Sequence, residues 1–140
     1  MSAHKSKPAI ITPQVGRRYE MGPMSAIFKV DEAEGTARLS ISEWWLEPDT
    51  GGPPPHAHEE DHVFYVLEGT LAVMIDGVWQ QAERGAYILL PGGTEHSFEN
   101  RSDARVGFMS VNTPGGFEQQ LPAIVEWFED KPLGPAGREG

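Results

Sequence analysis

Alternation of apolar and polar side chains governs the chain from Thr36 onward. Leu39 and Ile41 alternate with Arg38, Ser40 and Ser42, the period-two signal of a half-buried strand, which runs through Glu43-Trp44-Trp45-Leu46-Glu47 and stops at Pro48. His62 to Glu68 is apolar on both faces (Val63, Phe64, Tyr65, Val66, Leu67), which predicts a strand buried inside a two-sheet structure. Leu71 to Ile75 predicts another strand, Asp76-Gly77 a tight hairpin, and Val78-Trp79 the start of the return. Ala86 to Leu90, His96 to Asn100 and Arg105 to Val111 add three more, while Tyr19 to Val30 predicts one or two short strands broken at Gly22-Pro23. Strands of this length, with turn signals roughly every ten residues, predict an all-β sandwich or barrel.

After Thr113-Pro114-Gly115-Gly116 the period changes. Phe117, Leu121, Ile124 or Val125, and Phe128 fall at helical spacing, and Pro122 is expected to divide them into two short pieces and open the second. This short C-terminal helical segment is expected to lie over one mouth or face of the barrel. Residues 1–14 mix Lys, Ser and Pro and read as a flexible arm, in which Ile10-Ile11 are placed to dock or to pair with another chain's edge. His4 reads there as a solvated tail residue. Residues 131–140 are Pro/Gly-rich and read as a disordered tail. Between them, residues 15–130 form a single expected domain.

Charge and composition narrow the partners. Eleven basic and 21 acidic residues leave a net charge of −10, which argues against nucleic acid or an anionic membrane surface. Without cysteine there is no disulfide frame, thiolate nucleophile or thiolate metal site, so histidine and carboxylate remain as metal ligands. Residues 1–30 lack the apolar run of a signal peptide, and no later run is long enough to cross a bilayer, so the expected location is the cytoplasm.

The chemistry gathers in two stretches. Gly51-Gly52-Pro53-Pro54-Pro55 makes a stiff connection into His56-Ala57-His58-Glu59-Glu60-Asp61-His62, and Pro91-Gly92-Gly93 leads into His96. His56 and His58, two apart on an extended chain, share a face, and His62 opens the next strand. Neutral imidazoles suit borderline divalent metals when several converge, and four of the five histidines fall into these two segments. His56, His58, His62 and His96 are therefore the expected metal ligands.

These spacings resemble the cupin superfamily, whose motifs read G-x5-H-x-H-x3,4-E-x6-G and G-x5-P-x-G-x2-H-x3-N. Gly85, Pro91, Gly93, His96 and Asn100 match the second in full. His56, His58 and Gly69 match the first, but Gly51 or Gly52 lies slightly closer to His56 than the motif asks, and His62 stands at the glutamate position. The resemblance implies a double-stranded β-helix, or jelly-roll, of the small cupin kind, commonly a homodimer, holding one divalent transition metal (Fe, Mn, Ni, Co or Zn). Four neutral histidines leave the site about one charge more positive than three histidines and a glutamate, which favours an enolate, phenolate or carboxylate ligand. Four protein ligands on an octahedral metal leave two open positions, a geometry that Fe, Mn, Ni or Co fits better than Zn.

Strand parity selects the walls. Phe64, Val66, Phe98 and Asn100 share the face of the histidines, and an inward Leu39 and Ile41 would carry Glu43 and Trp45 to the same side, making Glu43 the candidate catalytic base and Trp45 a pocket residue. Glu59-Glu60-Asp61 reads as a solvated loop, one of whose carboxylates is placed to orient a histidine, and Tyr87 reads as core. Three functions follow for a small-molecule substrate or ligand: an oxygenase acting on an enolisable or phenolic compound, a non-redox isomerase, lyase or polyketide-type cyclase in which the metal is a Lewis acid, and a binding protein without turnover.

Overall fold

The alternating segments become nine strands in the computed structural model, which describes residues 7–137; His4 and the outer parts of both expected terminal segments lie outside those residues. The strands are β1 (Arg17–Met21), β2 (Met24–Val30), β3 (Ser40–Leu46), β4 (Asp61–Glu68), β5 (Thr70–Ile75), β6 (Val78–Glu83), β7 (Tyr87–Leu90), β8 (His96–Glu99) and β9 (Val106–Thr113). All pair antiparallel, in a six-stranded sheet ordered β1-β2-β3-β9-β4-β7 and a three-stranded sheet ordered β6-β5-β8. The two sheets close a jelly-roll around Leu46, Val66, Leu71, Val106 and Phe108, all fully buried.

Residues 50–56 extend the smaller sheet. Thr50 bridges Asn100 and His56 bridges His96, so this segment runs beside β8. Prolines 53–55 have no N–H to donate, which leaves isolated bridges where a ladder would otherwise form. Gly52 permits the approach, because a Cβ there would sit 1.5 Å from the Phe98 carbonyl oxygen.

Strand β3 corrects one expectation. Ser40, Ser42, Trp44 and Leu46 point inward, so Ile41, Glu43 and Trp45 face out. A shift of one residue moves every side chain to the other face of a strand, and here the inward hydroxyls are satisfied. Ser40 Oγ donates to Asp31 Oδ2 at 2.7 Å, and Trp44 Nε1 donates to Ser42 Oγ at 2.9 Å. On the outer face Ile41 opposes Val111 of β9.

The helical segment consists of a 3-10 turn, Phe117–Gln120, and α1 (Leu121–Asp130), with Pro122 in the first turn of α1. Burial of Phe117, Leu121 and Phe128 anchors it to the barrel, at about 1.5–3 kcal/mol for each side chain. The buried Asp31 carboxylate fixes its entry by accepting from the Gly116 and Glu118 amides, both at 3.0 Å. Beside it, Arg17 bridges Glu34 and Glu118 at 2.6 and 2.9 Å, and the Tyr19 hydroxyl donates to Glu118 at 2.6 Å. Burial, followed by the bond to Glu118, pushes the Tyr19 phenol up to about 12.

Both terminal segments are tied down where they are described. Lys29 Nζ donates to the carbonyls of Thr12, Pro13 and Val15. The tail runs back past the 49–51 loop, where the Gly51 amide donates to the Gly134 carbonyl at 2.7 Å and the Ala136 amide to Asp49 at 3.1 Å. Residues 131–137 lack regular structure and make hydrogen bonds to the 49–51 loop. No helix among the described residues is long and apolar enough to cross a membrane.

Candidate metal centre

His56 and His96 are joined by reciprocal backbone bonds of 3.0 and 2.8 Å, and their rings lie 4.4 Å apart. The ring of His58 is 4.7 Å from His56 and 4.8 Å from His62, and His62 is 5.4 Å from His96. The stiff 51–55 connection, β4 and β8 thus deliver all four imidazoles to one place. A clip holds the loops in register: the Gly93 amide donates to the His58 carbonyl at 2.6 Å and the Gly92 amide to Asp61 Oδ1 at 2.7 Å.

Two overlapping groups have ligand atoms within 4.8 Å of one another: His56, His58 and His96, and His58, Glu60 and His62. Nitrogens bound about 2.1 Å from one ion are at most about 4.2 Å apart, so small side-chain movements complete either set. Glu60, one of the three loop carboxylates expected to be solvated or to orient a histidine, is the one that stands with the ligand atoms. Its signal was the same two-residue parity that links His58 to His62.

Ring orientation fits metal binding. His56 Nδ1 lies 2.8 Å from the Pro54 carbonyl and His96 Nδ1 lies 2.9 Å from the Thr94 carbonyl, so each Nδ1 carries its proton and leaves Nε2 free as a donor. Both ring nitrogens of His62 are buried without a protein partner, a cost that coordination would relieve. Burial, then the neighbouring imidazoles, pushes His58 down to about 4 and His62 to about 3. Burial also lowers His96, against the opposing bond to Thr94. All three are therefore neutral near pH 7, the protonation state a ligand needs. The donor set suits a divalent metal.

The histidines open onto a cavity of about 610 Å³. Phe64, Phe98 and Phe108 form its inner wall, with ring separations of 4.6, 4.9 and 6.0 Å. Trp44 and Phe117 make a side, and α1 closes over the top with Ile124, Trp127 and Phe128. Phe64 and Phe98 are therefore where strand parity placed them. Five expectations change. Trp44 replaces Trp45 in the wall. Trp45 lies outside, under Arg105 at 4.2 Å, and its indole N–H donates to Glu43 at 3.2 Å, which puts Glu43 on the outer face as well. Val66 is buried in the core away from the cavity lining. Asn100 is also buried away from it, donating to the Leu46, Glu47 and Ala104 carbonyls as a clamp for the 101–104 turn. Tyr87, expected in the core, is 74% exposed.

A family model described as a cupin domain matches residues 42–112, half of the chain. The protein belongs to the cupin family. Its fold is that of solved cupin structures at low identity. KdgF from Halomonas sp. superposes with a TM-score of 0.70 at 15% identity, covering 81% of this chain and 99% of that one. The polyketide cyclase RemF from Streptomyces resistomycificus gives 0.65 at 24%, covering 78% and 80%. Oxalate decarboxylase from Bacillus subtilis, a protein with Mn(II) centres, gives 0.66 at 18%, covering 82% of this chain and 33% of that one. No curated protein matches this cupin.

Proposed function

We propose that this cupin is a divalent-metal-dependent enzyme acting on a small molecule that presents an enolate or phenolate oxygen to the metal, with oxygenase chemistry as the first reading. The observation that carries it is the convergence of four histidines, three of them held neutral by burial, on an apolar cavity. Neutral imidazoles leave the charge of a divalent ion uncompensated, which favours an anionic oxygen donor. A metal there supplies Lewis-acid and, for Fe, Mn, Ni or Co, redox chemistry. The chain's own part is to hold that ion through Nε2 of His56 and His96 and the rings of His58 and His62, to exclude water with Phe64, Phe98 and Phe117, and to close the mouth with α1. With Glu43 on the outer face, the described residues lining the cavity include no carboxylate for proton transfer, which favours a reaction that needs none.

Glu60 supports a second reading. Its carboxylate stands beside His58 and His62, where it is placed to accept a proton in a non-redox isomerase, lyase or cyclase. Oxygen consumption separates the two. The protein loaded in turn with Fe, Mn, Ni and Co is given an enolisable diketone or a flavonol. Metal-dependent O₂ uptake supports the oxygenase, and turnover of the same compounds without O₂, retained with Zn, supports the second reading.

We also propose that the protein is a homodimer. Tyr87 and Leu89 of edge strand β7 are 74% and 65% exposed, and they pair across the sheet with Tyr65 and Val63 to form one apolar outer face.

A further inference from the structure

The cavity beside the histidines is unusual in what its wall omits. Among the described residues, its lining holds no lysine, arginine, aspartate or glutamate. Its polar side chains beyond the histidines are Ser110, whose hydroxyl is turned to Asn112 at 2.9 Å, and Gln120 at the mouth. Even the Trp44 indole N–H is spent on Ser42, so the wall meets a ligand with the ring alone.

The cations nearby are engaged elsewhere. Arg17 is held between Glu34 and Glu118, and the Lys131 ammonium lies over the Trp127 ring at 4.4 Å, outside the lining. A phosphate or second carboxylate brought into this space would lose its hydration with no partner, a cost of several kcal/mol. Aromatic rings face the space from several sides. Phe117 lies 5.9 Å from His58 and 6.4 Å from Trp44, and Phe64 and Phe98 meet edge to face at 6.0 Å, so the aromatic wall reaches the imidazoles themselves. A volume of about 610 Å³ suits a ligand larger than a single ring, since sites for drug-sized molecules span about 300–1,000 Å³.

We infer that the substrate is a multi-ring aromatic compound, uncharged except for two adjacent oxygens at the end that meets the metal, and that sugar phosphates and small dicarboxylates are not substrates. This deepens the proposed function and rests on its metal site for the oxygen end alone; the aromatic wall acts with or without the ion. Ring stacking and desolvation provide the affinity, and the metal fixes which end enters first.

Titration calorimetry on the full chain separates the two parts. Naphthalene, which has no oxygen, is expected to bind the metal-free protein and the metal-loaded protein alike. Naphthalene-2,3-diol is expected to gain about tenfold or more on loading. Oxalate and glucose 6-phosphate are expected to bind the loaded protein at least about a hundredfold more weakly than the diol. Ala123→Arg, at an exposed α1 position on the cavity lining, places a guanidinium at the mouth without disturbing the core; it is expected to weaken naphthalene binding and to strengthen glucose 6-phosphate binding. If naphthalene does not bind the metal-free protein, or if oxalate or the sugar phosphate matches the diol, the aromatic assignment is overturned while the metal site stands. If naphthalene binds but the diol gains nothing from metal, the aromatic assignment stands and the metal reading fails.

Discussion

His56 and His96 come from segments 40 residues apart, yet each backbone accepts the other's amide, at 3.0 and 2.8 Å, and each ring turns its Nδ1 toward a carbonyl two residues earlier in its own chain. This arrangement builds half of the metal site from main-chain geometry. The remaining half, His58 and His62, is positioned by the Gly93 clip and by β4, and its burial makes it sensitive to acid.

In the metal-free protein, stability is therefore expected to fall with pH in a defined window. His58 and His62 are lowered from 6.5 to about 4 and about 3, so the unfolded chain takes up protons first. Their contribution is fully present above about pH 6.5 and is lost as pH drops from there toward 3. Thermal melts between pH 8 and pH 3.5 check this: the midpoint is flat above 6.5 and falls below it, and His58→Ala makes the slope shallower. An equal slope in wild type and variant would remove histidine as the cause.

Asp31 is expected to be the most costly polar residue outside the metal site. Its carboxylate accepts from Ser40, Glu32, Gly116 and Glu118 while almost wholly buried. Asp31→Ala should destabilise the fold by about 3 kcal/mol in denaturant titration, and hydrogen exchange should show α1 opening first. A loss below about 0.5 kcal/mol would mean that the helical segment is seated by its apolar side chains alone.

The two glutamates near the site are expected to behave oppositely. Glu43→Gln, on the outer face, leaves metal affinity and turnover at the wild-type level. Glu60→Gln, beside His58 and His62, lowers metal affinity by about tenfold or more. Competition with a chromogenic chelator measures both, and the reverse order would return Glu43 to the site.

Self-association through β7 predicts a dimer in sedimentation velocity that Leu89→Lys converts to a monomer, because a lysine there buries an unpaired charge at the expected interface. A wild-type monomer, or a dimer unaffected by the change, argues that this face stays open.

Much of this was legible in the residues, and the failures share one cause. The histidine spacing, the hairpin at Asp76-Gly77 and the break at Pro122 are local signals, and each appears where expected. Strand β3 was misread because its inward positions are serines, which look like a solvent face until Asp31 and the Trp44 indole are seen to satisfy them. The misplacement of Trp45 and Glu43 followed from that single register. Asn100 and Val66 were placed on the correct face, but periodicity along a strand does not tell how far down the barrel the cavity reaches. Tyr87 read as core because an apolar outer face is indistinguishable, in one sequence, from an inner one.

Metal content tests the central claim most directly. His58 belongs to both ligand groups, so wild-type protein and His58→Ala are compared by elemental analysis after the same reconstitution and desalting, with circular dichroism confirming that both are folded. Wild type is expected to retain close to one equivalent of a divalent transition metal per chain and His58→Ala only a small fraction of it. Equal retention by the two folded proteins would contradict a metal centre built on these histidines.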